Sequence, residues 1–353
     1  MSLEVIYVTR HGFRSSWNVD PSTGIYTSSI RSPTGLPTDP SLTSHGVQQA
    51  NDLATHLLNI DPPVEQVYSS PYYRCMQTIQ PFVRTRLSGN VSGETTSKIR
   101  VDTALSEWYG LAQFEHPSSA PLNELQSHFP EVDATYASTL APSRRGESLP
   151  QLHDRVAQAI DAIIRRSDEE GHKAVVICTH AAVVIAMGRV LTGQMEHDFG
   201  AFTCGLSKYR RRNPRVAESS TRDGEKAGTN AGPLATWSES QIGATRSKSL
   251  LGIDFVDTVY PYPHDSRRPH PCSPKRGKPG LYGGWTCELD SDCSFLRGGE
   301  ERGWQFSGDE SFIETDGNGS WPNAGSGSDA AGDRLETESG DSHISPKAGI
   351  SKL

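Results

Sequence analysis

The sequence predicts an α/β fold, a mostly parallel sheet flanked by helices. Three observations carry this. Residues 5–9 and 174–178 are continuous apolar runs rich in valine and isoleucine, as in strands buried on both faces. Both are followed by stretches with apolar residues at helical spacing. Strand and helix patterns then alternate through about residue 210, as crossover helices and a parallel sheet require.

The elements follow in order. Residues 5–9 form the first strand, and residues 43–59 a helix with Leu42, Val47, Ala50, Leu53, Ala54 and Leu57 near one face. Residues 67–69 are a short strand, and residues 72–86 a helix with Cys75, Met76, Ile79 and Phe82 on one side. A weak strand at 98–101 precedes a strong helix at 148–166, which turns Leu149, Leu152, Val156, Ile160 and Ile163 inward. A strand at 174–178, an apolar helix at 181–191 and a strand at 206–210 close the sheet.

Composition changes after Tyr209. Only 34% of the 353 residues are hydrophobic, so part of the chain is expected to be disordered. Residues 1–210 are read as one folded domain and 211–282 as a mostly disordered linker, interrupted by an apolar segment at 250–262. Residues 283–314 are read as a small β segment, and residues 315–353 as a disordered acidic tail. Within 283–306, alternation at Trp285, Cys287 and Leu289, then at 294–296 and 304–306, predicts a meander of three strands. Asp290 to Asp292 and Gly298-Gly299 would supply its turns.

A net charge of −8 argues against a dominant nucleic-acid surface. No apolar run reaches the ~18 residues of a membrane-spanning helix, and the chain opens on a strand pattern rather than a signal peptide. Six scattered cysteines, with Cys178 in a core strand, fit a reducing compartment. Cys272, Cys287 and Cys293 with His264 and His270 match no standard zinc spacing, so no metal is expected. The basic stretches at 210–215 and 274–278 read first as solvated linker.

The chemistry concentrates at strand ends. Arg10-His11-Gly12 places a possible nucleophile beside a guanidinium whose planar fork can hold two phosphate oxygens. Gly12 is expected to let the backbone approach an anion closely. Ser70-Pro71-Tyr72-Tyr73-Arg74 sets Arg74 at the start of a helix, where anions are favoured. Thr179-His180-Ala181 puts a second imidazole at another strand-to-helix junction. Open parallel sheets bind ligands at that edge.

The ordered series of Arg10-His11-Gly12, Leu42-Thr43, Gly46, Gln49-Ala50, Ser70-Pro71, Arg74, Thr78, Glu107, Gly146-Glu147-Ser148 and Thr179-His180 resembles the histidine phosphatase superfamily over about residues 1–210. The resemblance implies a phosphoglycerate mutase-like fold and phosphohydrolase activity through a phosphohistidine on His11. It implies phosphate binding by Arg10, Arg74 and His180, with Arg14 as a further candidate, and no cofactor. Glu107 would protonate the leaving oxygen and then activate water, with partial burial near Trp108 tuning its carboxyl. Phe13 stands where the mutase-like branch carries a glutamate, which disfavours a glycolytic mutase.

A narrower set is similar to the family of fungal TFIIIC tau subunits that carry a histidine-phosphatase domain. It comprises Phe13-Arg14-Ser15, Trp17, Tyr72-Tyr73-Arg74-Cys75, Ser106 to Tyr109, Thr179 to Ala182 and the segment from Ser294 to Phe306. That resemblance implies a nuclear subunit of the RNA polymerase III factor TFIIIC. It would bind other TFIIIC subunits through the C-terminal β segment, meet DNA only indirectly and have no membrane contact. The alternative is a free-standing phosphomonoesterase, nuclear or cytoplasmic, with no transcription role. On this reading catalysis and assembly are separable, and removing residues from Gly283 onward spares catalysis.

Overall fold

The computed structural model describes residues 2–89, 98–212 and 283–306. A six-stranded sheet forms its centre, in the order β5-β4-β6-β1-β7-β8. These strands are β1 (Val5–Arg10), β4 (Gln66–Ser69), β5 (Ile99–Val101), β6 (Ala174–Thr179), β7 (Leu206–Arg211) and β8 (Trp285–Asp292). β1, β4, β5 and β6 run parallel, whereas β7 and β8 are antiparallel to their neighbours. A hairpin of β2 (Trp17–Asp20) and β3 (Ile25–Ser28) stands apart. The sheet is thus mostly parallel, as the alternating pattern requires.

Both faces of the central strands are covered. Ile6, Val8, Val175 and Ile177 pack beneath α4 (Leu149–Glu170) and α5 (Ala181–Thr192). Val5, Tyr7, Val176 and Cys178 point the other way, against α1 (Ser44–Leu57) and α2 (Tyr73–Ser88). Local chemistry fixes the helix ends. The Thr43 side chain accepts from the Gly46 amide at the start of α1, and Ser148 and Gln151 form a capping box on α4. Gly171 and Gly193 close α4 and α5 in the left-handed conformation, at φ 83° and 76°. Val47 is 37% exposed and so leaves the apolar face of α1 assigned from spacing. A short helix, α3 (Leu122–His128), and a 3₁₀ turn at Thr103–Leu105 add to the expected elements.

The C-terminal β segment differs from expectation. Residues 283–306 form one strand, β8, rather than a three-stranded meander, and β8 pairs with β7 of the same chain. Asp290 to Asp292 do not turn the chain. Ser291 takes a positive φ of 49°, and the ladder continues through a register shift. The Ser291 amide donates to Ser207 Oγ, and its own Oγ accepts from the Phe202 amide. Trp285 is fully buried in the core beside Tyr209 and α5. Residues 285–306 therefore belong to the same folded domain as residues 1–210, and a deletion from Gly283 would strip its core.

Arg210 and Arg211 also lie in the fold. Arg210 pairs with Glu288 at 2.5 Å and Arg211 with Asp168 at 2.9 Å. The rest of the linker, with its apolar segment at 250–262, and the tail at 315–353 lie outside the described residues. No helix among the described residues is long and apolar enough to cross a membrane.

Trp285→Ala in the isolated chain should destabilise it by about 3–5 kcal/mol, the usual cost of emptying a buried tryptophan site. Denaturant unfolding measures this. An unchanged midpoint would mean that β8 is not part of the folded core.

Candidate active site

The parallel register aligns the strand ends. Arg10 pairs with Thr179, and Ser69 lies opposite both Cys178 and Val101. His11, His180, Ser70 and, through the 3₁₀ turn, Glu107 therefore emerge along one sheet edge. The structure brings Arg10, His11, Arg14, Arg74, Glu107 and His180 together there.

His11 is buried, and its Nδ1 lies 2.9 Å from the Gly12 carbonyl. A carbonyl only accepts, so Nδ1 carries the proton and the Nε2 lone pair remains for attack. Burial, then the charges of Arg74, Arg10, His180 and Arg14, push its pKa well below the ordinary imidazole value. The ring is thus neutral and nucleophilic. Gly12 is also required by packing. A Cβ there would come within 2.9 Å of the Gly46 carbonyl, and a Cβ on Gly46 within 2.0 Å of the Phe13 carbonyl. The two glycines let the nucleophile's loop press against the start of α1.

His180 faces His11 edge-on, with ring centroids 5.4 Å apart. Its Nε2 lies 2.8 Å from Ser70 Oγ, and its Nδ1 3.2 Å from Glu107 Oε2. Burial opposes a charge on this ring, but Cys75 and Glu107 outweigh it and raise the pKa. The two neighbouring imidazoles are thereby shifted in opposite directions, His11 down and His180 up.

Arg74 is fully buried. Nη1 donates to the Thr38 carbonyl at 2.8 Å and lies 3.6 Å from Asp39, while Nη2 donates to Glu107 at 3.0 Å. Asp39 also accepts from the Tyr73 amide at 2.7 Å and so holds the first turn of α2. Arg10 Nη1 donates to the carbonyls of Ala201 and Arg302. Arg14 packs over Trp17, and its charge acts on both His11 and Glu107.

Glu107 corrects one expectation. Burial would raise its carboxyl, but His180, Arg74 and Arg14 outweigh burial and hold it well below the usual carboxylate range. Trp108 contacts the carboxylate through its main chain, its amide donating to Glu107 Oε1 at 3.1 Å, while its indole N–H donates to the Glu147 carbonyl at 2.8 Å. Glu107 is therefore ionised in the unliganded protein and serves as counter-ion to Arg74 and His180. Its side chain is 16% exposed, so a leaving group or water can reach it.

Several supporting groups escaped sequence reading. Arg155 on α4 forms a buried pair with Glu147 at 2.7 Å and donates to the carbonyls of Ala104 and Ser106, directly before Glu107. The Glu147 motif position was visible, but nothing local pointed to Arg155. Asp39 and Ser70 likewise gained meaning only from contacts in space. Trp17, Tyr26, Tyr109 and His116 form an aromatic cluster beside Glu107.

Ligating atoms of His11, Glu107 and His180 lie within 4.8 Å of one another, close enough to hold a metal ion. Guanidinium groups from Arg10, Arg14 and Arg74 flank that trio, so its field favours an anion over a cation.

The profile of the histidine phosphatase superfamily (branch 1) matches residues 6–218. The transcription factor tau 55 kDa subunit of Saccharomyces cerevisiae is 28% identical over 313 residues, covering 87% of this chain and 59% of that protein. The ecdysteroid-phosphate phosphatase of Drosophila melanogaster is 30% identical over 168 residues, covering 46% of this chain and 21% of its own length. The chain thus spans less than two thirds of either relative. Among solved structures, the ecdysone phosphate phosphatase EPPase from Bombix mori, in complex with tungstate, aligns at 20% identity. Its TM-score is 0.43, over 66% of this chain and 98% of that one.

Two measurements check the site. In ¹⁵N spectra of the ring nitrogens, His11 should remain neutral with its proton on Nδ1 at about pH 6, because a lowered pKa keeps the base form at more acid pH. A His11 ring titrating at 6.5 or above would contradict the assigned burial and charge. Arg155→Ala should cost about 3–5 kcal/mol in denaturant unfolding, since it strands a buried carboxylate. A loss below about 1 kcal/mol would show the pair to be solvated.

Proposed function

The chain belongs to the histidine phosphatase superfamily, and on that premise we propose that it hydrolyses phosphomonoesters through a phosphohistidine on His11. One observation carries this reading: a buried neutral His11, its Nε2 lone pair uncommitted to the Gly12 carbonyl, stands among Arg10, Arg14, Arg74 and His180. In the first step His11 Nε2 bonds to phosphorus as the ester P–O bond breaks, and Glu107 gives its proton to the leaving oxygen. In the second step Glu107 takes a proton from water, whose oxygen attacks phosphorus as the P–N bond breaks. Orthophosphate leaves.

The ion pairs supply the proton logic. A phosphoryl dianion that takes Arg74 and His180 as partners displaces Glu107 from them. The carboxyl then loses its cations and gains an anionic neighbour, and both changes raise its pKa. Glu107 thus becomes an acid when substrate is bound and returns to a base as the phosphoryl group leaves.

The chain would also act as a TFIIIC subunit in the nucleus. In support, the similarity to the tau 55 kDa subunit covers 313 residues, whereas the phosphatase profile ends at residue 218. The likeness therefore reaches into the C-terminal region. Among the described residues β8 is the last strand of the sheet, and on this reading the C-terminal β segment is where another TFIIIC subunit binds. The second reading, a free-standing phosphomonoesterase, is favoured by the pairing of β8 with its own β7.

His11→Ala should lower turnover of p-nitrophenyl phosphate by about a thousandfold or more and abolish the alkali-stable, acid-labile phosphoenzyme. Equal rates for wild type and His11→Ala would refute the catalytic reading. Affinity purification of the tagged full-length chain from its native cell should recover the other TFIIIC subunits in stoichiometric amounts. Recovery of none would select the free-standing phosphatase.

A further inference from the structure

Arg10 and Arg302 are 292 residues apart in the sequence, yet they meet at the candidate site. Nη1 of Arg10 donates to two main-chain carbonyls, Ala201 at 2.8 Å and Arg302. Those two bonds fix the plane of the guanidinium. The 201–204 loop is tied to Arg10 by the main chain as well, because the Cys204 amide donates to the Arg10 carbonyl. The Arg302 carbonyl owes its position to Glu301.

Glu301 is anchored at both ends. Its carbonyl accepts from the Thr203 amide at 3.1 Å and from Thr203 Oγ1 at 3.3 Å. Its carboxylate lies 2.6 Å from His45 Nε2 and accepts from Gln49 Nε2 at 3.0 Å. Gln49 in turn accepts from the Phe13 amide, so one side chain of α1 joins the nucleophile's loop to the C-terminal segment. Arg302 follows in the left-handed conformation, φ 51°, with its guanidinium 4.0 Å over the Phe13 ring. That backbone conformation is costly for a residue with a side chain, so the surrounding contacts must hold it.

We infer that Glu301 is a positioning residue for catalysis: by pinning residues 301–302 against α1 and Thr203, it aims the Arg302 carbonyl at Arg10 and sets the phosphate-gripping fork. The inference rests on the reading of Arg10 as a phosphate ligand. Glu301 itself touches neither nucleophile nor substrate.

Electrostatics and positioning predict opposite signs here. Glu301 is an anion near a cationic pocket, so its charge alone weakens phosphate binding, and its removal would strengthen it. If Glu301 positions Arg10, its removal weakens binding instead. The test uses the full-length chain, with orthophosphate binding by calorimetry and turnover of p-nitrophenyl phosphate. Glu301→Ala should lower orthophosphate affinity and kcat/KM by about tenfold, the worth of one hydrogen bond to a charged group. Glu301→Gln, which keeps an acceptor, should fall between Glu301→Ala and wild type. In an Arg10→Ala background, Glu301→Ala should change kcat/KM by less than about twofold, because the group it positions is gone.

Unchanged or tighter orthophosphate binding in Glu301→Ala would overturn the assignment, as would losses that multiply in the double variant. If Glu301→Ala does not fold, Glu301→Gln is judged by the same two criteria. A wild type that neither binds orthophosphate nor turns over the ester would sink the phosphohydrolase reading and this inference with it. A wild type that does both, beside an unaltered Glu301→Ala, would remove only the role of Glu301.

Discussion

Arg74 is a guanidinium with no exposed surface, and much of the site is arranged to accommodate its charge. Burying such a cation costs several kcal/mol unless partners compensate. The compensation comes from separate parts of the chain. The Thr38 carbonyl and Asp39 arrive from the loop before α1, Glu107 from the loop after the 3₁₀ turn, and the Tyr72 ring lies 4.7 Å beneath the guanidinium. Each partner has a second task. Asp39 holds the first turn of α2, and Glu107 faces His180. Arg74 thus ties the strand ends of β4, β5 and β6 into one unit.

The same charge sorts the protonation states around it. Arg74 is the largest cationic influence on His11 and helps keep that ring neutral. It also helps keep Glu107 ionised, against the effect of burial. Asp39 goes the other way: burial outweighs Arg74 and the Tyr73 amide, and its pKa rises to about 6. Two carboxylates near one guanidinium thus differ because Glu107 also has His180 and Arg14 beside it, whereas Arg74 is the cation that acts on Asp39. Only the more open one, Glu107, can exchange its cation partners for a substrate phosphate.

What was legible in the sequence follows from this arrangement. Strands buried on both faces read as unbroken apolar runs, so β1 and β6 were plain, and with them the residues at their ends, His11 and His180. Arg74 was visible because it follows a strand at a helix start. The protonation of Glu107 was not, because it depends on ions brought in from α2 and β6. Arg155 and Asp39 lay in no local pattern, and Glu301 stood in the segment from Ser294 to Phe306 without a role there, since each matters through contacts across the fold. In β8, the alternation of Trp285, Cys287 and Leu289 identified a strand correctly. Alternation specifies which side chains share a face but not which edge the strand pairs with. Trp285 decides that question by filling the core beside Tyr209, an event no periodicity records.

The C-terminal segment joins two properties that composition would assign to separate modules. Its first part, β8, completes the sheet of the described residues. Its last part, at residues 301–302, lies against Thr203 and Arg10. Ser291 sits between them and bonds both Ser207 of β7 and the Phe202 amide, one residue from Thr203. A strand added at the edge of β8 would load a ladder whose bulge is tied to the loop that carries Thr203. The path from that edge to Arg10 is short and made of hydrogen bonds and packed side chains rather than a flexible linker. A change in the position of β8 would therefore reach Arg10 through residues 202–203 and 301–302.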